Sequence, residues 1–169
     1  MTSFSLRSVK LRSGEEHREE VEVELEPLEF GGQRYLPIPA KVPAELTIDR
    51  ASTGMVFRLR FHGHLFGPCY RCLAETSLDV DVDVREYQAS NPGGVDELTN
   101  PYLADDNLDL SAWARDAVAL GLPDKILCRA DCAGLCPECG RDLNLEPHEH
   151  ETDAHDPRWD DLARLRERL

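Results

Sequence analysis

Apolar and polar residues alternate at period two through much of the first half of this chain. Val21, Val23 and Leu25 are separated by glutamates, which predicts a strand with one face on a core and one in water. Leu46 and Ile48 mark a short strand that ends near Asp49–Gly54. Phe57, Leu59 and Phe61 alternate with Arg58, Arg60 and His62. Leu78, Val80, Val82 and Val84 alternate with Asp79, Asp81, Asp83 and Arg85, the cleanest strand signal in the sequence. Phe4, Leu6, Val9 and Leu11 give a shorter, imperfect alternation that fits an edge strand. Residues 27–43 carry Pro27, Gly31, Gly32, Pro37, Pro39 and Pro43 and read as turn and extended connection. Residues 90–107 read as a polar, mobile loop.

The period then changes. Leu110, Trp113, Ala114 and Ala117 fall on one face of a helix, with Asp109 or Ser111 as its cap and Gly121 and Pro123 at its end. Trp159, Leu162 and Leu165 predict a short amphipathic helix near the C-terminus. The fold class expected is α+β: an antiparallel sheet, a central helix, a zinc-ribbon-like four-cysteine knuckle pair and a short C-terminal helix. One domain is expected over 1–145. An acidic, histidine-rich linker and the terminal helix follow over 146–169.

The six cysteines change the picture most. Cys69-Tyr70-Arg71-Cys72 follows Gly67-Pro68, and Cys136-Pro137-Glu138-Cys139-Gly140 follows Gly134-Leu135. Each is a Cys-x2-Cys step beside a turn-forming residue. That spacing lets two thiolates converge on one ion while backbone N–H groups point at the sulfurs. Two such knuckles supply the four tetrahedral ligands that structural Zn²⁺ takes. The favoured ligand set is Cys69, Cys72, Cys136 and Cys139. The rival set is Cys128, Cys132, Cys136 and Cys139, all from one short segment. A thioredoxin-like redox site is not favoured, because neither pair has a βαβ context. His62 and His64 precede the first knuckle and read as strand and turn residues. His148, His150 and His155 lie among acidic residues; such a stretch can bind metal weakly, but a solvated linker is the favoured reading.

Charge narrows the partners. The 169 residues carry a formal net charge of −14, with 41% hydrophobic and 31% charged residues. A chain this acidic is repelled as a whole by a nucleic-acid backbone, and it meets basic proteins more easily. Arg58, Arg60 and Arg71 form the main basic cluster. They either touch RNA locally or pair with the aspartates of the next strand, and pairing is the favoured reading. Asp79, Asp81 and Asp83 share a face at about 7 Å spacing, which fits a solvated face better than a metal site. Residues 1–18 show no signal-peptide pattern and no apolar run suits a membrane span, so a reducing, cytoplasmic location is expected. No nucleophile elbow, P-loop or dinucleotide fingerprint is present, and an all-thiolate centre leaves no open coordination position. A non-enzymatic role without a small-molecule substrate is therefore expected.

The order of these pieces resembles the YceD family, also called the large ribosomal RNA subunit accumulation proteins. The resemblance rests on Cys69-Tyr70-Arg71-Cys72-Leu73 before a strand and on the helix from Asp109-Leu110 to Leu122-Pro123. It extends through Leu127-Cys128, then Asp131-Cys132-Ala133-Gly134-Leu135-Cys136-Pro137-Glu138-Cys139-Gly140-Arg141-Asp142-Leu143-Asn144, and Asp156-Pro157-Arg158-Trp159. It implies a role in large ribosomal subunit biogenesis, exerted by binding ribosomal protein or pre-ribosomal RNA. The alternative is a zinc-ribbon nucleic-acid-binding or regulatory protein outside ribosome assembly.

Overall fold

A computed structural model of the chain describes residues 2–150. The expected helix over 156–169 and His155 lie outside the described residues. The chain divides into two compact units, Met1–Cys132 and Ala133–Leu169. The boundary falls inside the cysteine-rich segment, whereas the sequence reading placed it after residue 145.

The first unit is built from strands β1 (Ser3–Ser5), β2 (Glu16–Glu24), β3 (Leu28–Phe30), β4 (Gln33–Pro37), β5 (Lys41–Arg50), β6 (Gly54–Pro68), β7 (Glu75–Ala89), β8 (Leu103–Ala104) and β9 (Asn107–Asp109), with one α-helix, α1 (Leu110–Gly121). Strands β2 to β7 form one antiparallel sheet in which β6 is the spine. On one side β6 pairs with β7 along its whole length, from Gly54↔Ala89 to Pro68↔Glu75. On the other side it pairs first with β5, over Met55–Phe61, and then with β4 at Leu65 and Phe66. A second, three-stranded sheet has the order β1-β9-β8.

The period-two pattern sorts the large sheet into two faces. Ala44, Leu46, Ile48, Phe57, Leu59, Phe61, Leu65, Val80 and Val82 are buried on one of them. The helix covers this core with Leu110, Trp113, Ala114, Ala117 and Val118. Asp109 caps it by accepting the Ala112 N–H at 3.0 Å. The other face carries ion pairs between neighbouring strands.

The expected α+β arrangement around a central helix is not what forms. The described residues are dominated by strands in two sheets, and the helix is a lid on one sheet face. Two stretches account for the difference. The proline-rich segment read as a connection makes β3, β4 and the start of β5. Its prolines survive because a ladder N–H is not needed there. Pro43 faces Glu22 of β2 just outside the part of β5 that also pairs with β6. The polar loop, in turn, yields β8 and β9: β1 offers β9 an edge, with Phe4 facing the fully buried Leu108, and β8 pairs with the other side of β9.

Candidate metal centres

The long β6–β7 hairpin ends at the first knuckle. Cys69 N–H donates to the Ala74 carbonyl at 2.7 Å, and Leu73 N–H donates to the Cys69 carbonyl at 3.0 Å. Closing so tight a turn puts Leu73 at φ +61°. The approach is fixed from below. The Tyr35 hydroxyl donates to the Pro68 carbonyl at 2.9 Å, and a Cβ on Gly67 would run into the Tyr35 ring. Only glycine lets the strand pass this close to the buried tyrosine.

The segment after α1 folds back onto that knuckle. Ile126 is buried, and its carbonyl accepts the Tyr70 N–H at 2.8 Å. The Arg71 guanidinium donates to the Cys132 carbonyl at 2.7 Å. Lys125 lies over the Tyr70 ring, 5.4 Å from its centroid. These contacts deliver Cys128 and Cys132 to Cys69 and Cys72, and the four sulfurs lie within 4.8 Å of one another. Cys69 and Cys132 are 3.8 Å apart, and Cys72 and Cys128 are 3.7 Å apart. A disulfide needs about 2.05 Å. Four thiolates about 2.3 Å from a tetrahedral ion stand about 3.8 Å apart. The sulfur spacing is therefore that of a closed tetrahedral centre.

The electrostatics agree. Burial pushes the Cys69 thiol up, but N–H groups of Cys72, Cys128 and Arg71 outweigh it and bring it down to about 6. Loss of water around its sulfur, followed by the neighbouring thiols of Cys72 and Cys132, pushes Cys128 up to about 12, although the residue as a whole is exposed. Burial also raises Cys72. Such a cluster cannot hold four negative sulfurs unaided. A bound cation would supply the charge that lets all four ionise.

The second knuckle, in the other unit, repeats the first bond for bond. Cys136 N–H donates to the Arg141 carbonyl at 2.8 Å, and Gly140 N–H donates to the Cys136 carbonyl at 2.9 Å. Gly140, at φ +72°, occupies the position that Leu73 fills in the first knuckle. The N–H of Cys139, then that of Glu138 against some burial, brings Cys136 down to about 6. A turn at Asp142, whose carbonyl accepts the Glu146 N–H at 2.9 Å, carries the chain back past the knuckle. His148 Nε2 then lies 3.1 Å from the Cys139 sulfur. One ligand atom from each of Cys136, Cys139, His148 and His150 falls within 4.8 Å of the others.

The sulfurs are thus grouped differently from either expected set. Cys69 and Cys72 join Cys128 and Cys132, while Cys136 and Cys139 join His148 and His150. The sequence reading missed both histidines as partners. A usable signal was present: two histidines separated by one residue, the first nine residues after the last cysteine of a knuckle. The basic cluster is also internally committed. Arg58 makes a two-pronged contact with Asp83, at 2.7 Å from Nε and 2.5 Å from Nη2. Arg60 pairs with Glu45, and Arg71 holds Cys132. His62 and His64 face Asp81 and Asp79 across the strand pair, at 2.8 and 2.7 Å. The aspartates of β7 therefore form a paired, solvated face.

The chain belongs to the YceD family: residues 57–166 match the family described as large ribosomal RNA subunit accumulation protein YceD. That stretch holds all six cysteines and both histidines of the two clusters. An uncharacterized protein of Mycobacterium tuberculosis is 35% identical over 131 residues, 75% of this chain and 62% of its own length. An uncharacterized protein of Mycobacterium leprae is 30% identical over 129 residues, 73% of this chain and 58% of its own length. The match thus spans about three-fifths of these curated relatives. No solved structure matches significantly. Among the described residues no helix is long and apolar enough to cross a membrane.

Proposed function

We propose that this chain is a non-enzymatic accessory factor of large ribosomal subunit biogenesis that acts by binding, with a structural Zn²⁺ at Cys69, Cys72, Cys128 and Cys132. Membership of the YceD family carries the ribosomal part of this reading. The zinc part rests on four sulfurs at tetrahedral spacing, three of them on buried residues. Four thiolates close the coordination sphere and favour zinc over hard cations, which prefer oxygen. The ion ties the β6–β7 tip to the segment after the helix, where side chains alone bury little. Metal binding energy there is folding energy.

Contact through a basic ribosomal protein is favoured over direct grip on RNA. The chain carries a net charge of −14, and Arg58, Arg60 and Arg71 already have internal partners. A phosphate would have to displace a carboxylate from two of them. Affinity capture of the tagged full chain, with and without RNase, tests the reading. Large-subunit ribosomal proteins should co-purify under both conditions. Loss of every partner after RNase contradicts protein-mediated contact, and recovery of no ribosomal component contradicts the ribosomal role.

A further inference from the structure

We propose that Cys136, Cys139, His148 and His150 hold a second zinc-class cation, so that the full chain takes up two ions at two separate centres. This does not depend on the ribosomal reading. Three observations converge on the site. The first is geometric: the four ligand atoms lie within 4.8 Å of one another. The 3.1 Å between Cys139 Sγ and His148 Nε2 is a little inside the roughly 3.5 Å separating S and N ligands on one tetrahedral zinc.

The second is the state of the histidine. His148 Nδ1 lies 2.7 Å from the Glu146 carbonyl. A carbonyl oxygen only accepts, so Nδ1 carries the proton. In the neutral ring the lone pair is then on Nε2, the atom turned toward the cysteines. A backbone carbonyl on the far nitrogen is the usual outer partner of a metal-bound imidazole, fixing both tautomer and ring orientation.

The third is what the segment lacks. Among the described residues from 133 to 150, Gly134 and Cys136 alone are buried, and Leu145 is 80% exposed. Backbone turns and the Ala133 N–H to Asn144 Oδ1 bond hold its shape locally. No apolar cluster forms among these residues, and a segment this short and polar needs a staple. Two thiolates and two imidazoles suit Zn²⁺ or Co²⁺ and do not suit Mg²⁺ or Ca²⁺. Cys139 and His150 are exposed, whereas in the first cluster Cys128 alone is. The second ion therefore exchanges with solution faster than the first.

Metal analysis of the purified full chain should give two equivalents of Zn²⁺, and the double variant His148→Ala/His150→Ala should give one. A chelator should strip the wild type in two phases, with the fast phase absent from the variant. Uptake of one equivalent or less by the wild type, or two by the variant, overturns the proposal. Co²⁺ titration of the unaltered protein covers a variant that does not fold. It should show two spectral components, one all-thiolate and one with weaker sulfur-to-metal charge transfer per ion. A single all-thiolate component overturns the second centre.

Discussion

His62 shows how one cross-strand contact is written into a side chain. Its hydrogen bond to Asp81, opposed by some desolvation, raises its pKa above the ordinary value of 6.5, and the Asp81 and Asp79 charges add to the effect. A raised folded-state pKa means that the protonated ring stabilises the fold. That contribution is complete below about pH 6.5 and is lost as pH rises through the raised value. NMR titration of His62 should give a midpoint above 6.5, and Asp81→Asn should move it down. A midpoint unaffected by Asp81→Asn would mean that the pair does not persist in solution. The ring is exposed, so the effect on overall stability is small.

Among the elements, the two knuckles make the same turn with different residues at the strained position. Gly140 takes its positive φ without a steric penalty, while Leu73 holds φ +61° with a branched side chain that is 52% exposed. The left-handed conformation costs an ordinary residue about 1 kcal/mol. Leu73→Gly therefore should leave metal content unchanged and raise stability by up to about 1 kcal/mol, read as a higher denaturation midpoint. A clear loss of stability would show that the Leu73 side chain makes a contact worth more than the strain. The turn itself was legible from Cys-x2-Cys with its flanking glycine or proline, because knuckle geometry is local. The leucine's strain shows in the sequence only through the second knuckle, which has Gly140 at the matching position.

Taken as a whole, the first unit has two parts far apart in sequence that meet at the cluster of Cys69, Cys72, Cys128 and Cys132. Cys132→Ser removes a ligand from the fully buried corner of the centre. The zinc-loaded variant should unfold at clearly lower denaturant than the wild type. The gap should largely close once both proteins are stripped by chelator, because the missing stabilisation is the ion's. A gap that persists after stripping would assign the loss to packing around the sulfur. Long-range pairing also explains the fold-class correction. β9 exists because β1 is there to pair with it, and β8 adds on the far side of β9; residues 103–109 alone carry too little pattern to announce either.

Residue order was enough for whatever repeats over a few positions. It set the two faces of β6 and β7, the helix with its Asp109 cap, and the pair of knuckles. All of these depend on near neighbours in the chain. Which sulfurs come together was left to the folded chain. Cys69 and Cys132 are brought together across 63 positions by the Ile126 and Arg71 bonds, and Cys136 and Cys139 are left to the histidines that the Asp142 turn returns to them. A Cys-x2-Cys step fixes two ligands of a tetrahedron and is indifferent to the source of the other two. The path of the chain between the ligands chooses them.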